Sequence, residues 1–362
     1  MDKKSEIPVK HPGIYLLDEI TNHDMSRKEL SIRTDVTEKH ISTVINGVKN
    51  ISPSFAKKLE YALGKPASYW LGLQAEYDSA VVQFEEENNI TSEETNILKN
   101  LKDIIDYFLT HKIMHNDCGN PEKVIQLRSI LGVSDLRSIP DIPYSAAYRA
   151  QIKDNIKVDP YVLFAWQRLC ELKSKSFTSD NAFDPIGLKK CIPDIKQILL
   201  SHTDINHALK EIQSIFEKCG VIFLVVPNFR GAPVQGFIKK LDNGSALLCL
   251  TIRGKRADRF WFTLFHEIGH LVDGDLDTRF VDFDSVSDEM ENNADFFARN
   301  CLIPDSEFKN FVFNDQFNKW NQIEQFAKRM GVPAFIVLGR LQKEEYLEWT
   351  DFPGKCPMYS WK

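Results

Sequence analysis

The residues best suited to chemistry are His266-Glu267-Ile268-Gly269-His270, inside the stretch "FWFTLFHEIGHLVDGD". On an α-helix, positions i and i+4 share a face, so His266 and His270 can aim their imidazoles at one ion with Glu267 beside them. That geometry suits Zn2+, which takes histidine nitrogens. A catalytic zinc keeps one of its four positions for water, so a third protein ligand is required. Downstream, "SDEMENNADFFARNCLIP" offers Glu289, Glu291 and Asp295 on a helix whose Ala294, Phe297, Ala298, Cys301 and Leu302 form an apolar face. Glu291 and Asp295 stand four apart, so one can ligate while the other accepts the spare N–H of a ligating histidine and fixes its ring. We read Glu291 as the third ligand and Asp295 as the carboxylate behind the histidine. A charge run on a helix is ordinarily just a solvated face. Here two histidines on the preceding helix would otherwise have no role.

The elements that must position these groups can be read from period and punctuation. Residues 160–218 carry a helical period, and Gly220 ends the last helix. "VIFLVVP" and "GFIKKLDNGSALLCLTI" read as strands, the second pair joined by Asp242-Asn243-Gly244, a hairpin signal because Asn and Gly tolerate positive φ. The hairpin near 236–252 is expected to offer an edge on which an extended peptide adds as a strand. Arg253, Arg256 and Arg259 are candidates to stabilise an oxyanion, although surface or packing roles suit them better. Trp261 and Phe262 read as core. The acid-rich 273–289 segment lacks the spacing of a calcium loop, and Cys249 and Cys301 need no metal role.

Residues 11–80 read as short helices with sharp turns. Leu30 and Ile32 lie in one amphipathic stretch, and Val36, Ile41, Val44 and Ile45 in the next. Thr34-Asp35 lies between them and Gly47 closes the second helix. This is a helix-turn-helix pattern, whose second helix enters the major groove of double-stranded DNA. Its polar face carries Thr37, Lys39, His40, Ser42, Thr43 and Asn46, with Lys49 and Asn50 placed for a phosphate. From 81 to about 150, "FEEENNITSEETN" reads as a charged connector. It is followed by a helix with Ile97, Leu98, Leu101, Ile104, Ile105 and Phe108 at its spacing, and then by a hinge at "SIPDIPYS".

Bulk properties limit the function classes. The chain has 362 residues, a formal charge of −6 and 43% hydrophobic residues, enough for more than one core. That charge excludes coating nucleic acid through bulk positive charge. Over positions 1–80 basic and acidic residues are equal, eleven each, so tight DNA binding is expected to need a homodimer. The seven cysteines are scattered with no CxxC pair, which suits reduced thiols. No apolar export core or membrane-length run is visible, so the expected location is cytoplasmic with no membrane contact.

Two resemblances follow from these residues. "HPGIYLLDEI…MSRKELSIRTDVTEKHISTVINGVKNISPSFAKKLEYALGKPASYWLGLQAEYD" resembles the Xre-family helix-turn-helix of HigA-like antitoxins. "EKCGVIFLVVPNFRGAPVQGFIKK…ALLCLTIRGKRADRFWFTLFHEIGHLVDGD…EMENNADFFARNCLIP" resembles the ImmA/IrrE group of gluzincin-like metallopeptidases. The second resemblance also implies His266, His270 and Glu291 as zinc ligands and Glu267 as base. The expected fold class is therefore α+β. It combines an all-α helix-turn-helix domain over 1–80, a helical connector over 81–150, and a gluzincin-like metallopeptidase domain over 151–362 with a small, mainly antiparallel sheet and an HExxH helix. Together the resemblances imply a DNA-binding transcription regulator of toxin-antitoxin or phage-response type. It would carry a zinc-dependent endopeptidase for a specific protein, either a repressor or a toxin-antitoxin partner. The alternative is an antitoxin-like repressor whose metal domain is a non-catalytic sensor or protein-binding platform. A small-molecule metallohydrolase would leave the DNA module idle.

Overall fold

The computed structural model describes residues 9–115, 119–142, 147–150, 158–177, 181–201, 204–251, 255–274, 288–314 and 317–359. The chain divides into two compact units, Met1–Thr95 with Cys118–Ile125, and Asn96–Asp117 with Gln126–Lys362.

The first unit holds α1 (Pro12–Asn22), α2 (Arg27–Thr34), α3 (Glu38–Ile45), α4 (Pro53–Leu63) and α5 (Ala67–Asn89). Short helices need their free N–H groups satisfied, and the sequence supplies a side-chain cap at the start of each of α1 to α4. Ser26 accepts from the Glu29 amide, Thr37 from His40 and Ser52 from Phe55. His11 caps α1 through Nδ1, which accepts from the Gly13 amide at 3.0 Å. Burial lowers the His11 pKa below its ordinary 6.5, against the raising influence of Asp78 and Asn50, which favours the neutral ring that the cap needs. Asp35, left-handed at φ 49°, turns α2 into α3, giving a helix-turn-helix-like pair. Leu16, Leu30, Ile41, Val44, Phe55, Leu59 and Trp70 form the core. Ile32 is 74% exposed, not part of that core, because the eight-residue α2 turns only Leu30 and Thr34 inward. The charged stretch expected to be a connector is instead mostly helical, forming the end of the 23-residue α5 up to Asn89 and, after a break at 90–91, the start of the next helix at Ser92, since glutamate is a good helix former.

The following elements are α6 (Ser92–Asn100), α7 (Lys102–Thr110), α8 (Asn120–Leu131), β1 (Ala147–Ala150), α9 (Pro160–Ser174), α10 (Pro185–Lys190), α11 (Ile192–Ser201) and α12 (Ile205–Lys218). Next come β2 (Val221–Val225), β3 (Val234–Lys240), β4 (Ala246–Leu250), α13 (Ala257–Val272), α14 (Asp288–Leu302), α15 (Asp305–Asn314), α16 (Trp320–Met330) and α17 (Ala334–Lys343). The single helix expected around Leu101 is divided there into α6 and α7, although Leu101 itself is fully buried. A short 3-10 turn over Leu136–Asp141 occupies the start of the expected hinge, whose residues 143–145 lie outside the described residues.

The sheet is small and mixed, in the order β1-β3-β4-β2. β3 and β4 form the expected hairpin, with Gly244 at φ +83° and the Leu241 amide donating to Ser245 O at 2.9 Å. β2 runs parallel to β4, and β1 runs antiparallel to β3. α13 packs on β3 and β4 and contacts α10, α14 and α17, so it is buried nearly all round. Its first turn is completed by residues about a hundred positions later. The Ala257 amide donates to Pro357 O at 3.0 Å, Tyr359 N donates to Lys255 O at 2.7 Å, and Trp261 Nε1 donates to the Tyr359 hydroxyl at 2.7 Å.

In the first unit, α1 crosses α3 at Gly13, where an added Cβ would lie 2.0 Å from the Val44 carbonyl oxygen and 2.8 Å from Ile45 Cα. The obstacle is backbone, so no rotamer change relieves it. Gly13→Ala is expected to cost at least the ~1–3 kcal/mol typical of overpacking, read as an earlier unfolding of α1–α5 in a urea titration followed by hydrogen exchange. An unchanged midpoint would mean that α1 does not pack on α3 in this way.

Candidate functional site

Four side chains converge on the inner face of α13. The Nε2 atoms of His266 and His270 are 3.1 Å apart, and the Glu291 carboxylate lies 3.9 Å from the first and 3.8 Å from the second. These three residues form the one cluster among the described residues that could hold a metal ion. Ligands ~2.0–2.1 Å from a tetrahedral ion stand roughly 3.3–3.4 Å apart, so the spacing fits with small adjustments. Two imidazole nitrogens at 3.1 Å must share a proton or a cation, since two bare lone pairs repel. Asp295 Oδ1 lies 2.6 Å from His266 Nδ1, so that nitrogen donates and Nε2 keeps its lone pair for an ion. The histidines are buried, while Glu291 is about one-third exposed.

Two close approaches set this geometry. Within the motif, Gly269 faces α14, and a Cβ there would meet Ala294 Cα at 3.2 Å and the Phe297 ring at 3.1 Å. The missing side chain lets α14 come near enough for Glu291 and Asp295 to reach the histidines. On the other side, the Glu267 side chain lies against Gly236 of β3, where a Cβ would sit 2.2 Å from Oε1. Glu267 is 1% exposed and its Oε1 has no hydrogen-bond partner. A buried carboxylate oxygen without a donor is costly, and Oε1 has none among the described residues. Gly236 also falls at the irregularity in the β1–β3 register, between Tyr148 opposite Phe237 and Ala150 opposite Val234. Glycine within a strand commonly marks a bulge or a close approach, and that signal was present in "VQGF". Nearby, Thr263 Oγ1 donates to Gln235 Oε1 at 3.2 Å, fastening β3 to α13 one turn before His266.

Other expected roles change. The hairpin does not expose an edge for an added strand: β3 lies between β1 and β4, and β4 between β3 and β2. The four residues of β1 cover β3 over Val234–Ile238, a non-local pairing with no signal in the hairpin itself. Arg256 holds the buried Asp258 through two hydrogen bonds, at 3.0 and 2.8 Å, and donates to Gln342 Oε1 at 2.8 Å. Both Arg256 and Arg259 stack on Trp349. These are packing roles. Arg253 and the acid-rich loop at 275–287 lie outside the described residues. Trp261 is buried as core.

Of the side chains singled out on the helix-turn-helix, Lys39, Asn46 and Lys49 are exposed, while His40, Ser42 and Thr43 are half-buried. Thr37 is exposed but its hydroxyl caps α3. His40 packs edge-on to Phe55 with ring centroids 5.0 Å apart, and Thr43 Oγ1 donates to His40 O at 2.7 Å. Asn50 Nδ2 donates to Asp78 Oδ1 at 3.3 Å.

The seat of Glu267 yields a selective test. In Gly236→Ala the methyl collides with the movable end of one side chain, so the carboxylate must swing away while His266, His270 and Glu291 stay in place. Metal content by mass spectrometry is expected to remain at the wild-type stoichiometry, with a stability loss of ~1–3 kcal/mol that disappears when Glu267→Ala is added. Loss of metal in Gly236→Ala would show that the ligands, rather than Glu267, depend on that space.

Residues 236–342 match the family described as Peptidase M78, the IrrE N-terminal-like domain. Over 73 residues the chain is 34% identical to virulence-associated protein A′ of Dichelobacter nodosus, an alignment covering 20% of this chain and 64% of that relative. The chain thus spans less than two thirds of that relative's length. An addiction module antidote protein of a HigA family from Coxiella burnetii is 26% identical over 23% of this chain and 95% of its own, with a TM-score of 0.21. The Pseudomonas aeruginosa antitoxin HigA, solved with the higBA promoter, is 26% identical over 23% and 96% of the two chains, again with a TM-score of 0.21. The first unit, with its helix-turn-helix-like pair, thus precedes the residues that match the IrrE N-terminal-like domain.

Proposed function

We propose that this protein is a DNA-binding regulator whose second unit is a zinc-dependent endopeptidase acting on a specific protein. The observation that carries the catalytic half is the pairing of a three-ligand cluster, His266, His270 and Glu291, with a buried Glu267 oxygen that has no partner. Bound zinc would acidify a coordinated water and polarise a peptide carbonyl. Glu267 takes the water's proton on Oε1 and delivers it to the leaving amine, working from a seat that excludes bulk water. Asp295 holds His266 in the tautomer that presents Nε2. α3 reads operator DNA, with Lys39 and Asn46 on its open face and Lys49 on the backbone; Thr37, His40, Ser42 and Thr43 complete that face. Two copies bind together, since one neutral module makes few phosphate contacts.

The rival reading, a repressor whose metal unit only senses or binds, draws on one observation: β1 already occupies the edge of β3 beside Glu267's seat, so no free strand edge waits there for a substrate. The two readings separate in cells. Comparing new protein N-termini in cells expressing wild type or Glu267→Gln at equal levels is expected to reveal a cut that only wild type makes. For the purified protein, Glu267→Gln should keep its metal and lose turnover by about 10²–10⁴-fold. Glu291→Ala should lose the metal, and Asp295→Asn should bind it about 10–100-fold more weakly. Identical N-termini with and without Glu267 would give the rival its case.

The DNA half has its own test. A palindromic site ahead of the gene is expected to be protected by purified protein at moderate salt. Lys39→Ala and Lys49→Ala should each lower the slope of log affinity against log salt by about 1. No protection at 50 mM salt would remove the operator assignment.

A further inference from the structure

Six free thiols lie among the described residues, and two of them touch: Cys191 Sγ and Cys219 Sγ are 3.9 Å apart. Both sit at helix ends, Cys191 between α10 and α11 and Cys219 at the close of α12 just before β2. The junction is tightly knit. The Asp184 amide, at the start of α10, donates to Cys219 O at 2.9 Å, and the Cys191 amide at its end closes the same helix on Gly187 and Leu188. α10 therefore begins on the backbone of Cys219 and ends beside its sulfur. A disulfide needs the sulfurs at about 2.05 Å. Both cysteines are helix C-caps, so closing the remaining gap calls for movement at helix ends and not within a helix.

Access differs between the two sulfurs. Cys191 is half-buried, whereas Cys219 is 4% exposed. Burial pushes the Cys219 thiol up to about 11. The accessible partner must then react first and the buried one resolve. A second thiol pair supplies an internal contrast: Cys170 of α9 neighbours Cys249 of β4, but both are fully buried. Cys301 and Cys356 stand against Lys196 and Asp258 rather than another thiol.

We propose that Cys191 and Cys219 are a modification site at which hydrogen peroxide or an organic hydroperoxide forms an intramolecular disulfide, while Cys170 and Cys249 remain thiols. The Cys191 sulfur, as thiolate, attacks the peroxide O–O bond and becomes a sulfenic acid, releasing water or an alcohol. The Cys219 sulfur then attacks the Cys191 sulfur, forming the S–S bond and expelling hydroxide, which leaves as water with the Cys219 proton. Two thiols are oxidised by two electrons in total and one peroxide is reduced. The new bond closes a loop containing α11 and α12 and ties the ends of α10, a helix that packs on α13. Cross-linking that loop restricts the unfolded chain more than the folded one.

The test uses the full chain, treated with a tenfold excess of hydrogen peroxide, quenched with N-ethylmaleimide and digested without reductant. The expected product is a 191–219 linked peptide lighter by two hydrogens, with Cys170 and Cys249 still alkylated after denaturation and a raised melting temperature relative to the reduced protein. In Cys219→Ser, dimedone should trap a sulfenic acid at Cys191, and in Cys191→Ser neither the link nor the Cys219 adduct should form. Both serine variants should melt, when reduced, close to wild type. Absence of the 191–219 link, equal oxidation of the 170–249 pair, or a first adduct on Cys219 would each overturn the proposal. None of these readouts depends on peptidase activity, so they stand or fall apart from the catalytic reading.

Discussion

How near α14 can come to α13 decides everything at the metal cluster. Helices pack ~8–10 Å apart according to the side chains between them, and here the contact is made by Gly269, Ala294 and the edge of Phe297. Because that contact is thin, two carboxylates one turn apart, Glu291 and Asp295, reach the two nitrogens of His266 from different directions. On the opposite side of the same helix, Gly236 leaves room for the Glu267 side chain. α13 is thus flanked by two absent side chains, and each positions a different acidic group. Neither glycine is a ligand, yet both set distances that the ligands cannot set for themselves.

The first unit is organised by a different constraint. Its helices are mostly of eight to eleven residues, too short to persist alone in water, and their stability comes from packing and from ends that are properly closed. Ser26, Thr37 and Ser52 each satisfy an amide that would otherwise be orphaned, at about 1 kcal/mol apiece. The Thr37 hydroxyl is committed to capping the start of α3. The His40 ring, leaning on Phe55, is similarly drawn toward the core. The open polar surface of α3 is narrower than its sequence suggests, with His40, Ser42 and Thr43 half-buried and Thr37, Glu38 and Lys39 exposed at its start.

What could be read beforehand was what repeats at short range. The i, i+4 spacing of His266 and His270, and of Glu291 and Asp295, is a local property of helices, and both pairs fall on the faces expected. The hairpin turn at Asn243-Gly244 and the helix stop at Gly220 likewise act through one or two residues. The parts that escaped depend on partners distant in the chain. β1 is four residues long and is defined only by lying against β3. Ile32 has the residue type of a core position, but a two-turn helix has too little inward face to use it. Gly236 carried its signal in plain view, yet the object it makes room for lies 31 positions further on. The roles of Arg256 and Asp258 could not be assigned without Gln342 and Trp349.

The closure of α13 by Pro357 and Tyr359 has a meaning in time as well as in space. A chain made from its N-terminus can settle α1–α5 from contacts made within about its first 80 residues, and such compact helical topologies form fast. The helix bearing both histidines is different, because its opening turn lacks its hydrogen-bonding partners until about a hundred further residues have left the ribosome. Synthesis at ~5–20 residues per second makes that a delay of several seconds. During it the helices of the first unit can already be folded while the His266, His270 and Glu291 cluster is unfinished. The order of the two units along the chain thus gives a nascent molecule its helix-turn-helix-like pair before its candidate metal cluster.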